Sequence, residues 1–218
     1  MNYKTTVKLA VAVSLVMTGI SAAQADIIFT LGNSPLDDSD NVLFTDNNLS
    51  HSGNLVQGNF NGPGSGFIVD FSSASGNGSL QAPSGGQARV EGATGNTPLG
   101  DITFGLEGAT FTGVVLNPFN GSGVAILIVS ELNGDTSLFS YIMGNGNNFV
   151  TINAINGQQI DTVTLVAPGG GFTDLRQVRM AGFESTTNSV PDGGATVLLL
   201  GAALSSMCFL RPRFAASV

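Results

Sequence analysis

The chain has 218 residues, room for one domain of ordinary size. Only 10% are charged, glycine numbers 30 and asparagine 19, tryptophan is absent and Cys208 is the only cysteine. This excludes a disulfide scaffold and a long coiled coil, while 42% apolar residues suffice for a core. Residues 26–186 hold three arginines, no lysine and fourteen carboxylates. Their net charge of −11 repels phosphate backbones and excludes nucleic acid as a partner.

In chain order, Lys4 and Lys8 come first, then a mostly apolar run from Leu9 to Ile20. That run is too short to span a bilayer of about 30 Å. Ala23-Gln24-Ala25 then meets the small-x-small cleavage rule. Residues 1–25 are therefore expected to be a secretory signal peptide, cleaved between Ala25 and Asp26.

The body, 26–186, reads as strands and turns. Strand candidates are 26–31, 41–45, 67–71, 87–91, 101–106, 110–116, 124–132, 137–143, 149–154, 160–167 and 175–183. A spacing near ten residues predicts one all-β domain, an antiparallel β-sandwich of jelly-roll type. Phe67, Val69 and Phe71 alternate with Asp70, the pattern of a half-buried strand. Residues 124–129 are continuously apolar, which predicts a central strand covered on both faces. Asn120-Gly121, Asn133-Gly134, Asn145-Gly146 and Asn156-Gly157 are turn pairs. The last predicts a hairpin between 149–154 and 160–167.

Catalytic sets are sparse. His51 is the only histidine, so every Ser-His-Asp or zinc reading would need it, and it reads as a surface residue in a polar turn. The glycine-rich stretches lack the spacing of a dinucleotide fingerprint, the body has no lysine for a P-loop, and a G-x-S-x-G elbow is absent. Glu107 and Glu131 are the carboxylates that a glycosidase would recruit. The expectation is a protein that is not an enzyme. Asp37, Asp38, Asp40 and Asp46, with neighbouring asparagines, supply the oxygen ligands that calcium wants, without EF-hand spacing. Calcium is the one candidate cofactor, against the alternative of a solvated acidic loop.

Arg176 and Arg179 lie in the last strand candidate. Strict period-two parity puts Arg176 with Val178 and Met180, and Arg179 with Leu175, Gln177, Ala181 and Phe183. Both faces are thus partly apolar. At least one guanidinium is expected to lie under neighbours and to need a carboxylate or several carbonyls.

Residues 187–194 form a linker ending in Val190-Pro191-Asp192-Gly193-Gly194. An uncharged run follows at 195–210, expected to be a transmembrane helix, and Arg211 and Arg213 close it as a basic stop in a cytoplasmic tail, 211–218. Motif, apolar helix and basic cluster in this order resemble the PEP-CTERM sorting signal of Gram-negative bacteria, in its VPDGG/VPDSG form. Thr196-Val197-Leu198-Leu199-Leu200-Gly201 matches the run that usually follows the motif. The resemblance implies recognition by an exosortase, a membrane-embedded cysteine transpeptidase-like enzyme. It implies cleavage near the motif and transfer to the cell surface or an exopolysaccharide matrix. Pro212, which splits the arginine cluster, departs from the pattern. Cys208 inherits no role, since the family's catalytic cysteine belongs to the sorting enzyme.

The body has its own resemblance. Residues 41–44, 84–90, 148–152 and 174–180 are similar to recurrent blocks in secreted β-rich proteins with such tails. No activity transfers from them. The expected function is an exported, exosortase-processed surface or matrix protein with a structural or adhesive role, associated with exopolysaccharide or biofilm. The alternative is a carbohydrate-binding β-sandwich module, calcium-assisted. The implied route passes through the inner membrane with the C-terminus cytoplasmic.

Overall fold

The computed structural model describes residues 26–74, 78–84, 88–94 and 98–186. The expected signal peptide, linker, sorting motif, transmembrane helix and basic tail lie outside them. Sixteen strands follow one another: β1 (Asp26–Leu31), β2 (Asp40–Asn41), β3 (Ser52–Gly53), β4 (Val56–Asn59), β5 (Ile68–Ser72), β6 (Leu80–Gln81), β7 (Arg89–Gly92) and β8 (Asp101–Leu106). Then come β9 (Ala109–Thr110), β10 (Gly113–Phe119), β11 (Gly123–Glu131), β12 (Thr136–Met143), β13 (Val150–Ile155), β14 (Ile160–Val166), β15 (Asp174–Ala181) and β16 (Glu184–Ser185). Among the described residues there is no α-helix.

Two antiparallel sheets form a β-sandwich. The first runs β1-β13-β10-β15-β7-β6-β3, with β2 also pairing β15; the second runs β12-β11-β14-β8-β5-β4. A two-stranded ribbon, β16-β9, completes the set. Inward residues of both sheets meet in one core, among them Phe71, Phe104, Phe172, Leu127, Leu165, Val114 and Ile152. Every buried member of that core lies between Val42 and Met180. Burying such side chains stabilises by about 1.5–3 kcal/mol each, before the ordering cost of the chain is set against it.

The chain changes sheet often, and this corrects the hairpin expected at Asn156-Gly157. Both residues have positive φ (57° and 80°), and the Gln158 amide donates to the Ile155 carbonyl at 3.1 Å, so the tight turn is there. Yet β13 belongs to the first sheet and β14 to the second. The turn carries the chain across the sandwich. Asn120-Gly121 and Asn145-Gly146 also sit at crossings between sheets. Asn133-Gly134 alone of the four pairs closes a hairpin, β11-β12.

The central strand covered on both faces is β10, not the 124–129 run. Val114, Val115, Leu116 and Asn117 are all fully buried. Residues 32–39 cross the outer face: the Thr151 hydroxyl donates to the Gly32 carbonyl at 2.9 Å and accepts from the Ser34 amide at 3.0 Å. Leu36 then packs onto Gly113, where a Cβ would meet its methyl groups at 3.1 Å. β11 lies one strand from the edge of the second sheet, and its outward residues Ile126 and Ile128 are only half-buried, with Val124 45% exposed.

The 110–116 candidate is divided. Ala109–Thr110 pairs β16, and the chain joins the first sheet only at Gly113.

Candidate functional site

The outer face of the first sheet is set by a bulge in β15. Against β10 the register shifts, so that Val115 faces Arg179 but Asn117 faces Arg176. Gln177, with φ 54°, is the extra residue. Leu175, Val178 and Met180 consequently all point into the core. Arg176 is thereby moved off the face of Val178 and Met180, where strict parity had put it, and Arg179 off the face of Leu175. Both arginines stand on the outer face.

Arg176 is held by a carboxylate and a ring. Its Nε and Nη2 donate to the two carboxylate oxygens of Asp174, each at 2.5 Å, and its guanidinium carbon sits 3.5 Å from the centre of the Phe119 ring. Asp174 is only 1% exposed. Beside it, Arg89 Nε donates to Glu91 at 2.9 Å, and Gln81 donates to the same carboxylate. Arg89 faces Arg176 across the strands and Glu91 faces Asp174. Like charges are therefore opposite, and each is neutralised along its own strand.

Asparagine accounts for much of the loop geometry here. Buried Asn117 donates to Asn147 Oδ1 and Gln177 Oε1, both at 2.9 Å, and accepts from the Asn148 amide at 2.8 Å. Asn148 donates to the carbonyls of Pro118 and Gly144 at 2.9 and 2.8 Å. These amides do the work of backbone partners in a loop that has no ladder.

Next to this network is a cleft of about 330 Å³ between residues 33, 41 and the β15 bulge. Asn33, Asn41, Gln177 and Arg179 supply its polar lining, and Phe149 an aromatic wall. Among the described residues no carboxylate lines it. The Arg179 Nη2 donates to Asn33 Oδ1. Among the described residues, Arg179 is the one arginine without a carboxylate partner. Geometrically this is a shallow site with amide donors and acceptors, one cation and one ring face.

The four aspartates of the calcium reading take separate tasks. Asp37 and Asp38 are exposed in a turn, Asp38 with φ 50°. Asp40 is buried and accepts from the Gly62 amide at 2.6 Å. Asp46 accepts from the Asn48 amide and side chain at 2.9 Å, closing a local turn. Among the described residues no three such side chains gather around a point where a metal could sit. Glu131 is buried and accepts from Ser137 at 2.7 Å and from Gln158, while Glu107 is exposed in the turn after β8.

His51 is not a free surface residue. It packs edge-on to Phe44 at 6.3 Å between ring centres, with its Nε2 buried and unpartnered among the described residues. Tyr141 Oη is likewise buried without a partner, and burial pushes its pKa above the ordinary phenol value. The cleft itself escaped the sequence reading. Its signal was Gln177, a polar residue interrupting the alternation of the last strand.

No protein-family model and no curated protein matches the chain. Among solved structures it is similar to a family 11 carbohydrate-binding module from Clostridium thermocellum in complex with a β-1,3-1,4-mixed-linked tetrasaccharide. The identity is 11%, with 68% of this chain and 98% of that one covered, at a TM-score of 0.27. A second family 11 module, from the cellulosomal cellulase Lic26A-Cel5E of the same organism, gives 12%, 70%, 96% and 0.25. A point mutant of a family 29 carbohydrate-binding module gives 9%, 74%, 87% and 0.22. Scores this low carry no argument about ligand or site.

Proposed function

We propose that this is an exported, exosortase-processed protein of the cell surface or extracellular matrix, whose sandwich binds polysaccharide without transforming it. The observation that carries the binding reading is Arg179, a cation that among the described residues has an amide partner and no carboxylate, in a cleft that no described carboxylate lines, on a body with net charge −11. Amides and a guanidinium bond sugar hydroxyls and carboxylates, and a ring wall receives the apolar face of a pyranose. A polymer bearing scattered uronates fits best: one carboxylate would meet Arg179, the arginine without a carboxylate partner among the described residues, whereas a backbone charged at every unit is repelled by the acidic body. The export reading is supported by the n-region, apolar run and cleavage triplet of 1–25 and by the tail from Val190 to Arg213.

Affinity electrophoresis tests the binding reading. Purified protein is run through gels containing a uronate-bearing polysaccharide or a neutral β-glucan, with and without a calcium chelator. Retardation by the uronate polymer, reduced by Arg179→Ala and unchanged by Arg89→Ala, is expected. Equal mobility in every gel would contradict it.

A further inference from the structure

Asn33, the partner of Arg179, reaches the cleft on a segment outside the strands. Residues 32–39 leave β1 and return as β2, forming a strap on the outer face of β10. Asn33, Pro35, Asp37 and Asp38 are exposed, so the strap is packed on one side only. Leu36 is its one large apolar side chain besides Pro35, and proline brings no amide donor. What fixes the strap must therefore come from the sheet beneath.

Three hydrogen bonds tie its start to β13. The Gly32 amide donates to the Phe149 carbonyl at 2.7 Å. Thr151 Oγ1 makes the other two, donating to the Gly32 carbonyl at 2.9 Å and accepting from the Ser34 amide at 3.0 Å. One hydroxyl is thus used as donor and acceptor at once. The two residues it bonds are those on either side of Asn33. Thr151 itself is 4% exposed and does not line the cleft.

The register connects this anchor to the cation. Thr151 stands opposite Val115 of β10, Val115 opposite Arg179 of β15, and Arg179 opposite Asn41 of β2. Thr151 and Arg179 therefore share one row across the outer face, two strands or about 10 Å apart. The strap is bonded at one end of that row, and the Asn33 side chain meets the guanidinium at the other.

We infer that Thr151 is the positioning residue of the cleft. It sets affinity by holding Asn33, and through it Arg179, in the binding geometry before a sugar arrives. This rests on the polysaccharide reading and adds what controls that site. Arg179 is long and, among the described residues, has no carboxylate to orient it, so Asn33 is its fixed point. Groups ordered beforehand bind without a further ordering cost. With the strap released, the apparent dissociation constant rises by the reciprocal of the fraction of molecules in which it is seated. By the same linkage, a ligand that bridges Asn33 and Arg179 tightens the strap.

The test compares Thr151→Val, which keeps the branched shape and loses the hydroxyl, with Thr151→Ser, which keeps the hydroxyl. Two readouts on the purified full chain need no sugar: hydrogen exchange of the Ser34 amide and the Arg179 Nε–Hε resonance. Thr151→Val should speed Ser34 exchange more than about tenfold and move the Arg179 resonance toward its position in Asn33→Ala. Exchange within β10 and β15 should stay as in the parent, which separates release of the strap from a general loosening. The dissociation constant for a soluble uronate oligosaccharide should rise about tenfold in Thr151→Val and stay within about twofold in Thr151→Ser. Unchanged Ser34 exchange and an unmoved Arg179 resonance in Thr151→Val would overturn the inference. So would a released strap with undiminished affinity, or a Thr151→Ser loss as large as that of Thr151→Val. A parent that binds no oligosaccharide would contradict the polysaccharide reading, while the two sugar-free readouts still decide whether Thr151 positions Arg179.

Discussion

Replacing Arg176 by alanine removes both hydrogen bonds to Asp174 and the stack on Phe119, and leaves a carboxylate 1% exposed with no cation. Removing one partner of a buried pair costs about 3–5 kcal/mol. The Arg176 side chain is 20% exposed, so water can follow into the space it leaves, and the lower end applies. Loss of the ring contact adds about 0.5–1 kcal/mol. For a domain of this size each kcal/mol moves the melting temperature by about 2–4 °C, which gives a fall of about 7–16 °C. Thermal unfolding followed by circular dichroism reads this directly. Adding Asp174→Asn to Arg176→Ala should recover part of the loss, because the buried charge is then gone. A shift under about 2 °C, or a double variant as unstable as the two losses added, would refute the reasoning.

Three further outcomes are expected. Tyr141→Phe removes a buried hydroxyl with no partner and should leave stability unchanged or raise it by up to about 1 kcal/mol, read by denaturant midpoint. Tyr141 is the only tyrosine of residues 26–186, and its folded-state pKa is raised by burial. Its contribution is therefore complete below pH about 10, the unfolded value, and is lost as the pH rises above it; Tyr141→Phe should flatten that alkaline decline in melting temperature. Asn117→Ala breaks three bonds in a fully buried position and should cost about 2–4 kcal/mol in chemical unfolding while weakening polysaccharide binding, since Gln177 loses its anchor. Replacing Pro191 and Asp192 by alanine should leave an uncut, membrane-bound form in fractionated cells carrying an exosortase, and unchanged processing would end the sorting proposal.

The long strands were legible because burial on one face writes period-two alternation into sequence. Asp26–Leu31 and Asp101–Leu106 keep the bounds that their patterns give. Short strands carry too few residues for a period. β4 hides further, because Gly58 replaces an apolar residue where a Cβ would lie 2.5 Å from Val42. The parity of Arg176 failed at Gln177, since an inserted residue leaves the composition of a strand unchanged and inverts everything on one side of it. Asn-Gly pairs announced turns correctly but could not tell which sheet the next strand would join. The apolar run at 124–129 predicts a doubly covered strand because sequence records hydrophobicity, not the neighbour that covers it. The cleft depends on residues 33, 41, 149 and 179, which only the fold brings together.

The central claim is that polysaccharide binds at the Arg179 cleft, and amide chemical-shift mapping with a soluble uronate oligosaccharide tests it most directly. The account predicts saturable shifts at Asn33, Asn41, Gln177 and Arg179 that disappear in Arg179→Ala. Shifts confined to the second sheet, or none at all, would contradict it.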